Sequence, residues 1–138
     1  MILTLCGSSR FLDSFHKYNI HLSLAGHVVF SMALTQKGDW IPNAAEKQVL
    51  DLVHFAKIDV SDGIFVIDRP FGLVGNQAEQ SYIGFSTGNE MRYAAIRGKE
   101  IFQASRHNAR SLLFSIRPSR DFFASGFSDE MKGNDWKS

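Results

Sequence analysis

Apolar positions along the chain follow two rhythms. Ile2-Leu3-Thr4-Leu5-Cys6 is apolar almost throughout and stops at Gly7-Ser8-Ser9, the pattern of a strand buried on both faces. Phe11, Phe15, Tyr18 and Leu22 then recur at steps of four, three and four, which puts them on one face of a helix ending near Gly26. His27-Val28-Val29-Phe30 predicts a second, short strand. Residues 32–42 read as a loop, with turn chemistry at Lys37-Gly38-Asp39 and Trp40 lying over a pocket. From Ala44 to about Val60 the period is again helical, with Val49, Val53, Ala56 and Val60 as the expected buried stripe. Gly63 to Ile67 is a continuous, β-branched third strand, bounded by Asp62 and by Asp68-Arg69-Pro70. A long connection follows, residues 69–86, with Gly72, Gly75, Asn76 and Gly84. Connections of this length in small domains usually serve function. Thr87 to Gly98 predicts a helix, Glu100 to Ala104 a fourth strand, and Arg106 to Phe114 a further helix.

Strands alternating with helices pair in parallel through right-handed crossovers. The expected fold is therefore α/β: a three-layer, flavodoxin-like or Rossmann-like open parallel sheet of four to five strands. It forms a single domain over residues 1–117, followed by a loose Gly/Ser/Asp-rich extension over 118–138. In such sheets ligands sit beyond the carboxyl ends of the strands. That rule gathers Gly7-Ser8-Ser9-Arg10, the connection from Asp68 to Ser86 and the start of the helix bearing Glu90 on one rim.

Composition narrows the function classes. The chain has 138 residues, 44% hydrophobic and 21% charged, which is ordinary for one globular domain and unlike a disordered or fibrous sequence. A net charge of +1 supplies no general pull on a nucleic acid polymer or an anionic membrane. No apolar run is long enough to span a bilayer, and the N-terminus lacks the basic and long apolar regions of a signal peptide, so a cytoplasmic chain is expected. The single cysteine excludes an internal disulfide, and the five scattered histidines show no zinc-ligand spacing, so no metal is expected.

Three groups of residues carry possible chemistry. In Cys6-Gly7-Ser8-Ser9-Arg10 the glycine permits close backbone approach, the hydroxyls and free N–H groups accept an anion, and the arginine can clamp a phosphate. The same residues also make an ordinary tight turn, with Ser9 as helix N-cap and Asp13 as its partner. The stretch is neither a Walker A loop nor a dinucleotide fingerprint. In Tyr82-Ile83-Gly84-Phe85-Ser86-Thr87-Gly88-Asn89-Glu90, Thr87 and Glu90 have capping-box spacing, and on spacing alone the cap is the simpler account. A carboxylate near a helix N-terminus is also kept ionised, which suits nucleophilic attack, and Ala94 one turn on leaves space above the sheet. The third group is Asp51, His54 and Ile58, opposite the valine stripe. Here His54 is either a proton donor or substrate contact, or a solvated or interface histidine. Asp62 and His27 lie at the amino ends of strands, the wrong rim for catalysis. Cys6 has no His or Asn beside it in sequence and reads as a small buried residue.

Taken in order, Cys6-Gly7-Ser8-Ser9-Arg10, His54-x-x-Lys57-Ile58-x-x-Ser61-Asp62, Tyr82-Ile83-Gly84-x-Ser86-Thr87-x-x-Glu90, Tyr93-Ala94 and Gly98-Lys99 resemble the nucleoside 2-deoxyribosyltransferase-like superfamily. Within it the chain is most similar to the branch of 2′-deoxynucleoside 5′-monophosphate N-glycosidases, over Ile2 to about Ala104. The resemblance implies a hydrolase or transferase of nucleotide metabolism with no metal or organic cofactor, and a site completed in a homodimer or higher homo-oligomer. It further implies Glu90 as the nucleophile on the anomeric carbon. Gly7, Ser8, Ser9 and Arg10 would hold the 5′ end of a nucleoside or nucleotide, with Asp68, Tyr82, Gly84, Ser86 and Thr87 nearby and His54 as a second catalytic group. The chain departs from the pattern at three places. Thr4 stands where a strand-one tyrosine is usual, with Tyr82 or Tyr93 as its substitute, His54 stands where the N-glycosidases place an aspartate, and the segment from Gly84 to Glu90 differs in length. A binding module that recognises a nucleotide or nucleotide-derived signal without turnover is the alternative. A third class, an interaction protein, draws on the twelve phenylalanines and the Phe122-Phe123…Phe127 tail.

Overall fold

A computed structural model describes residues 1–33, 40–72 and 81–106. The elements run β1 (Ile2–Gly7), a 3₁₀ turn (Ser9–Phe11), α1 (Leu12–Leu24), β2 (Val28–Phe30), α2 (Ala44–Asp59), β3 (Gly63–Ile67), α3 (Phe85–Ile96), β4 (Glu100–Gln103) and a 3₁₀ turn (Ala104–Arg106). The strands form one parallel sheet in the order β2-β1-β3-β4. Helices cover both faces, so the architecture is the three-layer α/β sheet that the alternation of strands and helices predicts.

Alternation along the central strands decides which side chains meet which layer. Leu3 and Leu5 of β1 and Phe65 and Ile67 of β3 pack with Phe15, Tyr18 and Leu22 of α1, joined by Phe11. These helical positions are the ones read from the spacing of the first helix. On the opposite face Cys6, Ile64 and Val66 meet Ile58 of α2 and Ala94 of α3. Each large side chain buried here contributes roughly 1.5–3 kcal/mol, and truncating Phe65 to Ala would cost about 3–5 kcal/mol. At the amino edge Asp62 Oδ2 accepts from the Ile2 N–H at 2.7 Å, and the Met1 amino group contacts His27 Nδ1 at 3.1 Å. Both residues are structural, as their position at the strand starts implies.

The structure corrects three expectations. In α2 the valine stripe points outward, with Val49, Val53 and Val60 exposed by 58%, 46% and 62% and Ala56 also exposed, while His54 and Ile58 are buried. Polar ties on the inner side set this rotation. Ser61 Oγ lies 2.6 Å from Thr4 Oγ1 and donates to the Lys57 carbonyl at 2.7 Å, and Lys57 Nζ donates to the Ser31 carbonyl at 2.7 Å. Helix α3 begins at Phe85, two residues before the expected start, with Gly84 as its N-cap. Ser8, not Ser9, caps the turn after β1, accepting from the Arg10 N–H, and α1 has no side-chain cap, so Asp13 plays no capping part. The expected turn at Lys37-Gly38-Asp39, Gly75 and Asn76, the helix from Arg106 to Phe114 beyond Arg106, and the 118–138 extension lie outside the described residues. Among the described residues no helix is long and apolar enough to cross a membrane.

Candidate active site

At the carboxyl end of the sheet, Gly7 closes β1 with φ +154°, and a Cβ there would stand 2.6 Å from the Ile67 carbonyl oxygen. Only glycine fits so close to β3. The backbone then turns sharply: the Ser8 carbonyl accepts from the Phe11 N–H at 3.0 Å, and the Ser8 hydroxyl accepts from the Arg10 N–H at 3.3 Å. This turn leaves Ser8 and Ser9 facing the rim.

Glu90 is the sixth residue of α3 and is 8% exposed. The capping-box account of Thr87 and Glu90 does not hold, because the helix starts too early for Thr87 to be the cap and makes no side-chain capping bond. The box belongs instead to α2, where Asn43 Oδ1 accepts from the Glu46 N–H at 2.8 Å and Glu46 Oε1 accepts from the Asn43 N–H at 3.0 Å. Glu90 is thus an inward-facing carboxylate with no terminal backbone groups to serve.

Two other elements bring partners to it. His54 Nε2, from the inner face of α2, lies 3.3 Å from Glu90 Oε2, and Cys6 Sγ, from β1, lies 3.4 Å from the same nitrogen. The imidazole and carboxylate are close enough for an ion pair, yet they are not aligned as a hydrogen bond. Glu90 Oε2 and His54 Nδ1 are both buried without a hydrogen-bond partner. Burial, and then the neighbouring Glu90 carboxylate, push the Cys6 thiol well above its ordinary pKa, so it stays a neutral donor.

A cavity of about 330 Å³ opens over this group. Of the residues singled out in the sequence, Gly7, Ser8, Ser9, Asp51, Tyr82, Gly84, Ser86, Thr87 and Glu90 line it, together with Met32, Lys47 and Phe85. A smaller hollow of about 260 Å³ shares Ser9, Met32, Lys47, Asp51 and Glu90 and adds His54. A hollow of about 560 Å³ along α1, bordered by Leu12, Asp13, His16, Lys17, Asn19 and Ser31 among others, touches none of these rim residues.

Two expected ligand contacts sit elsewhere. Asp68 is fully buried beneath the turn after β4. Its Oδ2 accepts from the Ser81 hydroxyl at 2.7 Å, its Oδ1 from the Ser105 N–H at 2.8 Å, and the Ser105 hydroxyl and Gln103 Nε2 also point at it. It ties the chain after β3 to the chain after β4 and does not line the cavity. Arg10 is likewise not in the wall: its guanidinium lies 3.5 Å above the Tyr82 ring. What sequence reasoning missed is Cys6 as a neighbour of Glu90, and Lys47 in the wall. Lys47, Asp51 and His54 follow one another at helical spacing, a signal masked by the stronger valine pattern on the other side. Lys47 Nζ pairs with Asp51 Oδ2 at 3.0 Å.

Comparison with protein-family models, with curated proteins and with solved structures finds no match to this chain. The chemistry rests on the geometry. A buried carboxylate borders an open cavity walled by hydroxyls, two aromatic rings and a lysine, with an imidazole and a thiol packed beside it.

Proposed function

We propose that this chain cleaves, or transfers across, the N-glycosidic bond of a nucleoside or nucleoside 5′-monophosphate, with Glu90 as nucleophile. One observation carries the reading: Glu90 sits mid-helix, nearly buried and without a cap to make, yet borders the cavity, its Oε2 lacking a hydrogen bond. The resemblance to the nucleoside 2-deoxyribosyltransferase-like superfamily points to the same residue.

The steps follow from the positions of the groups. A glycosidic substrate places its anomeric carbon over Glu90 and its 5′ end toward Ser8 and Ser9, where Lys47 adds a positive charge for a 5′-phosphate. The Glu90 carboxylate attacks the anomeric carbon as the bond to the base breaks through an oxocarbenium-like transition state. The electron pair of that bond leaves with the base, which takes a proton from the protonated imidazole of His54. Nε2 faces Glu90, and His54 borders the adjoining hollow, which supports a proton donor on that side. Water, or a second base, then attacks the glycosyl ester, returns a proton to His54 and frees the carboxylate.

A second reading, binding without turnover, is favoured by one observation. Thr4, in place of the strand-one tyrosine, is fully buried and bound to Ser61, and the Tyr93 hydroxyl is occupied by Asp59 at 2.8 Å. Tyr93 therefore offers no phenol to Glu90, while Tyr82 shares the cavity wall with it. The outward apolar face of α2, with Leu52 between the valines, supports a homodimer or higher homo-oligomer.

The test is chromatography of free nucleobase from ribo- and deoxyribonucleosides and their 5′-monophosphates, with and without an acceptor base. Release by wild type and none by Glu90→Gln is the expected result. Saturable nucleotide binding by calorimetry with no product would replace the enzyme reading with the binding one.

A further inference from the structure

We propose that Cys6, His54 and Glu90 also form a binding site for a single zinc ion, which competes with substrate for the Glu90 carboxylate. Three different elements, β1, α2 and α3, supply a sulfur, a nitrogen and an oxygen donor, all within 4.8 Å of one another. The measured separations are 3.4 Å from Cys6 Sγ to His54 Nε2 and 3.3 Å from that nitrogen to Glu90 Oε2. Tetrahedral zinc, at about 2.3 Å from sulfur and about 2.0–2.2 Å from nitrogen and oxygen, sets its donors roughly 3.2–3.6 Å apart. Two of the three pairs already stand at that spacing, and the third, Cys6 Sγ to the Glu90 carboxylate, lies within 4.8 Å and closes on binding.

A second observation is independent of these distances. Glu90 Oε2 is buried and makes no hydrogen bond, so a carboxylate oxygen is held ready with nothing aligned to satisfy it. Such an orphan calls for a partner. All three residues are more than nine-tenths buried, and His54 and Glu90 border a hollow of about 260 Å³ from which water supplies a fourth ligand. Three protein ligands and one open position is the arrangement of non-structural zinc sites. A mixed sulfur, nitrogen and oxygen set selects zinc over magnesium or calcium, which take oxygen donors.

Binding is a ligand exchange without redox change. The Cys6 S–H bond breaks, its proton passes to solvent, and a sulfur lone pair forms the bond to zinc. His54 coordinates as neutral imidazole through Nε2. The consequence for turnover rests on the glycosidase reading: a carboxylate bound to zinc is no longer a nucleophile, so zinc holds the enzyme off.

The full chain, stripped with a chelator, is titrated with Co²⁺ and then with Zn²⁺. The expected result is one Co²⁺ per chain, with sulfur-to-cobalt charge-transfer absorption in the near ultraviolet and the intense visible bands of tetrahedral cobalt, all displaced by Zn²⁺. Cys6→Ser removes the charge-transfer band, and His54→Ala removes the tetrahedral spectrum, with circular dichroism confirming that each is folded. Wild type alone can overturn the proposal, by taking up no Co²⁺ or by showing no charge-transfer band. Undiminished, tetrahedral uptake by both folded variants overturns it as well. If wild type releases base, Zn²⁺ inhibits it over the same concentrations that displace Co²⁺; turnover unchanged at saturating Zn²⁺ overturns the competition. A positive cobalt spectrum with no base release from any substrate sinks the glycosidase reading and leaves the metal site standing.

Discussion

Replacing Glu90 by Gln separates a catalytic carboxylate from a structural one, because the structure sets the two effects far apart in size. Gln has the same shape, so no cavity forms around Ala94 or Cys6. The native carboxylate closes no capping box and makes no aligned bond through Oε2, so little is lost there. The cost comes from a buried amide N–H₂ set beside His54 with no acceptor in place, about 1–3 kcal/mol. A domain with about 5–15 kcal/mol of stability stays folded under that change. Removing the nucleophile acts on the barrier instead. Each 1.36 kcal/mol is about tenfold in rate, so an expected loss of at least about a thousandfold corresponds to about 4 kcal/mol of transition-state stabilisation. The assay is base release per folded molecule, with thermal unfolding of the same preparations. Two results refute the reasoning: turnover within about tenfold of wild type, or a loss of activity that follows a loss of folded protein.

Other consequences are as direct. Gly7→Ala meets the Ile67 carbonyl at 2.6 Å in a left-handed conformation and costs more than about 1 kcal/mol, whereas Gly88→Ala, with open space around it in α3, adds about 0.5–1 kcal/mol; thermal melts of the pair check both signs. Asp68→Ala strands the Ser81 and Ser105 hydroxyls and the Ser105 N–H, for a loss of at least about 3 kcal/mol in chemical denaturation, where a substrate-binding role would alter only ligand affinity. Burial, opposed by Arg69 and aided by Asp68, pushes the Tyr18 phenol from 10.0 up to about 12. The unfolded chain loses that proton first, so the contribution to stability is whole below pH 10.0 and is lost as pH rises toward about 12; the melting temperature of Tyr18→Phe falls less steeply over that interval. Light scattering after size exclusion reports twice the chain mass or more, and Leu52→Lys with Val53→Glu on the exposed face of α2 returns the monomer; a monomeric wild type removes the interface.

The sheet was legible because its strands are short apolar runs bounded by Gly and Asp, and β3 carries both limits, Asp62 and Asp68, in its flanks. The first helix was legible for the same kind of reason: Phe15, Tyr18 and Leu22 are large and regularly spaced, and the exposed side is mostly polar, Ile20 and Leu24 excepted. Rim membership followed from topology, since residues after β1 and before α3 must collect at the carboxyl ends whatever their side chains do. Helix α2 was not legible in this way. It has apolar residues on both sides, and periodicity chose the larger set, Val49, Val53 and Val60, over the one that is buried.

Local spacing therefore determined the alternation of strands and helices, their parallel pairing and most of the loop residues that wall the cavity. Tertiary structure decided the rest: the rotation of α2, the early start of α3, and the meeting of Cys6, His54 and Glu90. The reason is physical. A one-dimensional pattern encodes which positions prefer to leave water, but a polar side chain is buried only when distant chain supplies its partners. For His54 those partners lie on β1 and α3, 48 residues before it and 36 residues after it. Nothing in the local sequence of α2 announces them.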